Sequence, residues 1–405
     1  NCAHTLAKAT LDPQIEFSSL RTLLQIRMAQ GAYDEAEAVA DQGMRLAQQT
    51  EEEYLRLLVL LDQGKLALAR HRYAEAHALI EQARQIGAKR IHPLIQDTLF
   101  RFLGLSAYYQ GQMVQAKAYD EQGLQLARTL GIRLRIADHL LHLGAVHDAL
   151  GDYGAAQSAY QEALAFYQER GSRQHEISVL GNLGISTAYL GDYAGAIRYT
   201  EQALALQTEL GKVNQSAIAF TNLALFYHQL GDQTKACDYA QQGIAAAQQE
   251  GDRYIEGFAH TFLGHVQSAQ HNVAKAQCAY QQALTCYHAL NLDYLTPEPQ
   301  AGLARLWLAQ NNLHEARACI EPILTLLNER PLEGIEEPMR VYHTCYQVLS
   351  AMGDAQAAAV LEKAHAALQA RAERIQDPQW RAAFLTQVAA HQAILTEHAH
   401  LKVPA

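Results

Sequence analysis

Several things are scarce in this chain, and each scarcity excludes something. There are six cysteines in 405 residues, and no two form a Cys-x-x-Cys pair. Cys2, Cys237, Cys278, Cys286, Cys319 and Cys345 fall mostly at small-residue positions of helical segments. They read as reduced thiols acting as small buried hydrophobes in a cytoplasmic protein. No stretch approaches the ~18 uninterrupted apolar residues of a membrane span. The opening NCAHTLAKATLD has neither the basic start nor the apolar run of a secretory signal. Lysine and arginine total 32 against 42 aspartates and glutamates, and they are scattered singly. With nothing to neutralise phosphates, direct nucleic-acid binding is not expected, and the net charge of −10 reads as ordinary solubility. Proline is sparse at nine; Pro297 and Pro299 should open a helix, and Pro331 and Pro338 should lie in one irregular loop.

Chemistry is scarce as well. No Gly-rich phosphate loop ending in Lys-Ser/Thr occurs, nor G-x-S-x-G, nor H-E-x-x-H. Nothing local pairs a nucleophile with a base or sets carboxylates in a cleft. The chain therefore reads as non-enzymatic and without a cofactor. Histidine is plentiful at nineteen and densest in DHLLHLGAVHDAL, with Asp138, His139, His142, His147 and Asp148. His139 and His142 can share a helix face, but His147 is turned well round from them. A zinc site needs convergent ligands, so these read as ordinary surface and interface histidines, with no metal expected. EHAH near the C-terminus reads as a frayed tail.

What the chain does have is a period. A length of 405 residues exceeds a usual single core, which points to several domains or a repetitive array. GDYAGAIRYTEQALALQTELG at Gly191 has counterparts at Gly151 and Gly231. Equivalent turns recur every forty residues at Gly31, His71, Gly111, Gly151, Gly191, Gly231, His271 and Asn311. Another, at Gly353, comes two residues late, after NERPLEGIEEP. Five residues past each turn stands an alanine: Ala36, Ala76, Ala116, Ala156, Ala196, Ala236, Ala276, Ala316 and Ala358. Twelve past, the residue is small from Gly43 to Ala283, and Ile323 is the exception. Upstream of the turns recurs Leu-Gly or Leu-Ala, as at Leu103-Gly104 and Leu223-Ala224. Apolar spacing of three and four makes both segments amphipathic helices whose small residues let backbones approach, and no strand is expected. Glycine should end the first helix of each pair, and Asp152, Asp192 and Asp232 should cap the second.

The pattern Asn-Leu-Gly-x5-Leu-Gly-Asp-Tyr-x-x-Ala-Ile-x-x-Tyr-x-x-Ala-Leu, complete from Asn182 to Leu204, resembles the tetratricopeptide repeat (TPR). Forty residues rather than thirty-four is similar to the long-helix subclass of that family. The resemblance implies an all-α, right-handed superhelical TPR solenoid of about nine helix pairs with a C-terminal capping helix, its first helices lining a concave groove. On this ruler residues 1–12 form the second helix of a truncated preceding repeat, or else a native cap. Residues 13–376 form the array, and 377–405 a capping helix and tail. The tail, with Asp377, Trp380, Arg381, Phe384, Leu385, Val388 and His391, also resembles the close of arrays in bacterial STAND ATPases (signal-transduction ATPases with numerous domains) and MalT-like transcriptional regulators. That resemblance implies a sensor, covalently linked to a nucleotide-binding module upstream; the alternative is a stand-alone adaptor for protein assembly.

In peptide-binding members of the family an asparagine just before Leu-Gly bonds an extended ligand's backbone. Asn182 and Asn222 stand at that position, although asparagine is tolerated there without a ligand as well. Phe102, His142 and Phe262 are their equivalents, and Arg101, Tyr108, Tyr109, Tyr189, His228, His265 and Arg305 fall on the same inner face. Phe226, Tyr227 and Trp307 read as wedges between repeats. Taken together, Asn182, Asn222, Arg101, Tyr108, Tyr109, His142, Tyr189, His228, Phe262, His265 and Arg305 form the expected concave site. It suits a peptide, a protein, or a small molecule such as a sugar.

Overall fold

The structure is a computed structural model that describes residues 13–50, 52–87, 91–211 and 216–401. The expectation for residues 1–12 lies outside them, as does Cys2. Among the described residues there is no β-strand. The helices are α1 (Pro13–Ala29), α2 (Tyr33–Gln49), α3 (Glu53–Ala69), α4 (Tyr73–Gly87), α5 (Pro93–Tyr109), α6 (Met113–Leu130) and α7 (Arg133–Ala149). There follow α8 (Tyr153–Glu169), α9 (Arg173–Tyr189), α10 (Tyr193–Glu209), α11 (Ala217–Gln229), α12 (Gln233–Glu250), α13 (Arg253–Ala269) and α14 (Val273–Ala289). A 3-10 turn (Asp293–Leu295) leads into α15 (Pro297–Ala309), then α16 (Leu313–Glu329), α17 (Pro338–Ala351), α18 (Gln356–Arg374), α19 (Pro378–Gln387) and α20 (Ala389–Leu401). Odd numbers to α17 are the first helices of their pairs.

Backbone geometry repeats at half the period seen in the sequence. Positive φ occurs at all nine of the expected turns, three of them non-glycine: His71 (58°), His271 (61°) and Asn311 (58°). It also occurs between pairs, at Gly131, Gly171, Gly211, Gly251 and Asn291. Asp152, Asp192 and Asp232 accept from the backbone N–H three residues on, capping α8, α10 and α12 as expected. Two expectations need amendment. Pro338 is the first residue of α17 rather than part of the loop. Ala358 is exposed: α18 begins three residues after its turn instead of two, which rotates that alanine out of the contact.

The eight earlier alanines are fully buried. The glycines of the Leu-Gly phrase, and Gly64 at the equivalent position after Gln63, work differently from a simple backbone approach. Each leaves a hole for the side chain sixteen residues later. A Cβ on Gly64 would lie 2.4 Å from Ile80, on Gly104 2.6 Å from Asp120, on Gly144 2.3 Å from Tyr160, and on Gly264 2.4 Å from Tyr280. What fills the hole thus varies from aliphatic to polar, and the polar fillers mark the sites below.

The chain divides into two compact units, 1–142 and 143–405, within α7. In each, successive first helices touch directly (α1 with α3 and α3 with α5; α9, α11, α13, α15 and α17 in turn). No comparable contact joins successive second helices among the described residues. The first helices are therefore the inner layer.

Candidate functional site

In the unit 143–405 the inner layer is not empty. The eight residues between α16 and α17 leave the repeat and run across it, anchored by buried Leu332 and Ile335. Gly334, at φ 76°, sets its N–H 3.5 Å from the Ala149 carbonyl. Tyr189 donates its hydroxyl hydrogen to Glu336, and Gln229 donates to Glu337 at 2.5 Å. Ala149, Tyr189 and Gln229 occupy one repeat position, forty residues apart. The C-terminal helices reach the same place. Arg371 donates to the Tyr153 hydroxyl at 3.2 Å and to the Leu332 carbonyl at 3.3 Å. Arg374 donates to the Leu150 carbonyl at 2.8 Å. The Phe384 ring lies 5.7 Å from that of Tyr153. The expected single capping helix is broken at Val388, whose ψ of 115° separates α19 from α20. Helix α19 can then reach α8 through Phe384 while α20 covers α17 and α18. Between these elements lies a pocket of about 490 Å³, its open mouth included. It is lined by Tyr153, Tyr189, Tyr193, Leu225, Met339 and Arg340, among others.

Buried charge surrounds it. Glu337 accepts from Arg340 at 2.7 Å and lies 3.6 Å from His265 Nε2. His265 also meets Tyr280 at 2.8 Å and Glu298 at 3.2 Å, and Arg305 reaches Thr344 at 2.7 Å. Burial, with the charges of Glu337 and Glu336, pushes the Glu298 carboxyl up to about 8. Burial raises Glu336 to about 7. Burial opposes the charge of Glu337 too, but Arg340 overcomes it and holds that carboxyl below the usual range. Burial and the neighbouring Arg340 push His265 and His228 down, which favours the neutral imidazole in both. Donor atoms of His265, Glu298 and Glu337 lie within 4.8 Å of one another, a spacing a metal ion could use. Arg340 already supplies the positive charge at Glu337, and we assign no ion there.

The structure places the expected residues as follows. Tyr189, His228, His265 and Arg305 come together around this cluster; the rings of His228 and His265 are 6.1 Å apart. Asn182 is half-buried on α9, whereas Asn222 is buried on α11. Phe262 is not on an accessible face: at 2 % exposure it packs between Phe258 and His265, because the inner layer is close-packed at that turn. His265, at 1 %, is likewise an interior group. Arg101, Tyr108, Tyr109 and His142 belong to the other unit. There Arg101 lies over the Phe102 ring at 4.1 Å, and Tyr109 stacks on Tyr73 at 4.6 Å. Sequence reasoning passed over Glu298, Glu336, Glu337, Arg340 and Arg371. The available signal was the break in stride at NERPLEGIEEP, which puts two adjacent carboxylates where the repeat is interrupted.

Within the unit 1–142 the histidine-rich helix holds a surprise for the surface reading. His139 is fully buried, with Nδ1 2.9 Å from Asp120 and Nε2 3.2 Å from Asp97, both also buried. Burial opposes its protonation, but the two aspartates prevail and raise its pKa. The tail histidine His398 is buried too, against His365 at 3.6 Å and Glu362 at 3.0 Å, so the helix is not frayed there.

Residues 96–169, 135–209, 175–249 and 215–289 match the tetratricopeptide repeat family, in windows that advance by about forty residues, as the turns do. The regulatory protein AfsR of Streptomyces griseus is 30% identical over 161 residues, which are 40% of this chain and 15% of that protein. The chain thus spans well under a fifth of that relative's length. Among solved structures, a Rap protein complexed with competence and sporulation factor is similar with a TM-score of 0.61 at 13% identity, over 96% of this chain and 99% of that one. A STAND protein with a tetratricopeptide repeat sensor from Pyrococcus horikoshii gives 0.52 at 16% identity, over 80% and 53%. At such identities these are likenesses of fold. No helix among the described residues is long and apolar enough to cross a membrane. The matched windows and the recurring hairpin together identify residues 96–289 as tetratricopeptide repeats.

Proposed function

We propose that this chain is the non-catalytic, ligand-binding sensor region of a larger bacterial regulator, and that the inner layer of residues 143–405 receives the ligand. One observation carries the reading. First helices of successive pairs bring Tyr189, His228, His265 and Arg305 to one place beside a pocket of about 490 Å³, in a repeat that has no catalytic motif. Aromatic and charged groups converging on an inner surface are what peptide and small-molecule sites require. The Rap protein of similar fold is in complex with a competence and sporulation factor, and the Pyrococcus protein joins its repeats to a STAND ATPase. By that analogy a nucleotide-binding module is linked to this array.

To test it, the purified chain is panned against a phage-displayed library of random peptides, and a retained peptide is titrated against variants. Tyr189→Ala removes a pocket wall, and Asn182→Ala removes the amide expected to meet a ligand backbone. A lost hydrogen bond is worth about 1 kcal/mol, so each variant should weaken binding by roughly fivefold to tenfold with the fold intact. A library from which nothing is retained, or affinities that neither variant moves, would overturn the reading.

A further inference from the structure

The segment that leaves the repeat lies on the inner layer as a ligand would. From Gly334 to Glu337 it passes Ala149, then Tyr189, then Gln229, one equivalent position in each of three successive repeats. It has no helix of its own, and its two apolar residues, Leu332 and Ile335, are buried. Its two adjacent carboxylates, Glu336 and Glu337, take donors from two inner helices, Tyr189 on α9 and Gln229 on α11, and His265 on α13 lies 3.6 Å from Glu337. Arg340, at the start of α17, closes the set. Connections between pairs elsewhere take as few as two residues, as at Gly131-Ile132, so the eight residues here are not needed to join two helices. The pocket opens alongside, lined by both glutamates.

We propose that residues 332–337 occupy the place of the ligand, and that the ligand displacing them is an extended acidic peptide with an apolar residue directly ahead of two adjacent carboxylates. This rests on the reading of the inner layer as a receptor and names the class of peptide it takes. The occupant fixes the chemistry: Tyr189 and Gln229 are neutral donors at repeat spacing, Arg340 supplies charge, and the seats of Leu332 and Ile335 are apolar. Any peptide that repeats those features exchanges for the segment without leaving a buried donor unpaired.

The probe is the fluorescent heptapeptide Leu-Glu-Gly-Ile-Glu-Glu-Pro, the sequence of residues 332–338, read by anisotropy. Glu336→Gln/Glu337→Gln weakens the internal occupant while keeping its size. The peptide should bind this variant at least tenfold tighter than the unaltered chain, and the same peptide with glutamine for its two adjacent glutamates should lose at least tenfold against either. Should the variant fail to fold, hydrogen exchange on the unaltered chain decides. Saturating acidic peptide should speed exchange of amides 332–337, and the glutamine peptide should not. Equal binding of the two peptides, or exchange at 332–337 that saturating peptide leaves unchanged, would overturn the proposal. Library peptides that bind without an acidic pair would overturn it as well, while leaving peptide reception standing. An empty library removes the reading beneath it, a different result.

Discussion

At the scale of single residues, the glycines of this repeat are not interchangeable, and two of them on the first helices of successive pairs should respond in opposite senses to the same methyl group. Gly144 forms the hole for Tyr160, and a Cβ there would sit 2.3 Å from the ring. Tyr160 cannot withdraw easily, because its hydroxyl donates to buried Asp148 at 3.1 Å. Gly144→Ala should therefore destabilise by about 1–3 kcal/mol, the usual cost of overpacking. Gly181, in the interior of α9, has nothing within 4 Å of a built Cβ. There alanine relieves only the helix's loss of backbone entropy, and Gly181→Ala should stabilise by roughly 0.5–1 kcal/mol. Urea unfolding of the two variants checks both signs at once. If Gly144→Ala costs nothing, the hole-and-filler account of the Leu-Gly phrase is wrong.

Elements inherit their character from the same filler positions. In the early repeats the equivalent triplets are Leu57, Ile80 and Leu99, then Asp97, Asp120 and His139 one period on; the first triplet is aliphatic and the second ionic, and both are buried. Removing His139 alone takes the shared partner from two buried carboxylates, leaving Asp97 to Arg135 at 3.3 Å and Asp120 to His142 at 3.8 Å. His139→Ala should cost about 3–5 kcal/mol, as breaking a buried ion pair commonly does. The triple change Asp97→Leu/Asp120→Ile/His139→Leu copies the neighbouring repeat and should come within about 1 kcal/mol of the unaltered chain or exceed it. Because its partners raise the pKa of His139, the ionic triplet contributes fully below the free-histidine value. That contribution fades as pH climbs through the folded value, so the triple variant should lose this part of the pH dependence. Thermal melts of the three proteins at pH 6 and pH 8 measure it. This contrast also explains what was legible beforehand. Helix pairs, turns and caps follow from a period that local chemistry repeats, so they could be read directly from the order of residues. His139 looked like any histidine on an inner helix, since its partners lie nineteen and forty-two residues away and meet it only through packing.

For the molecule as a whole, the interrupted stretch matters more than the regular ones. Forty-residue regularity specified the pairs but said nothing of where Glu336 and Glu337 would lie, because their contacts cross three repeats to residues more than a hundred positions earlier. Three carboxyls, Glu298, Glu336 and Glu337, gather there with two arginines, and burial favours the protonated form of Glu298 and Glu336. Glu298 faces Glu337, Glu336, Arg340, Arg305 and His265, and is raised to about 8; Glu336 faces Tyr189 and Glu337, and is raised to about 7. Burial pushes both above the usual carboxylate value of 4.5, so from there to the folded values the folded chain holds more protons than the unfolded one. Stability then falls as pH rises across that window and levels off above it. His265 and His391 act in the opposite sense: burial lowers both, His391 to about 4, and stability from them rises with pH until the free-histidine value of 6.5 is passed. Above 6.5 the carboxyls act without that opposition. The melting transition of residues 143–405 should accordingly drop by a few degrees, on the order of 2–4 °C per kcal/mol for a domain of this size, between pH 6.5 and 8. Glu298→Gln keeps the shape and removes the titrating proton, so it should flatten that decline and, because part of the loss that begins at 4.5 is already incurred by then, melt higher than the unaltered chain at pH 6.5 as well. A decline as steep in the variant as in the unaltered chain would mean that this carboxyl is not where the protons are held.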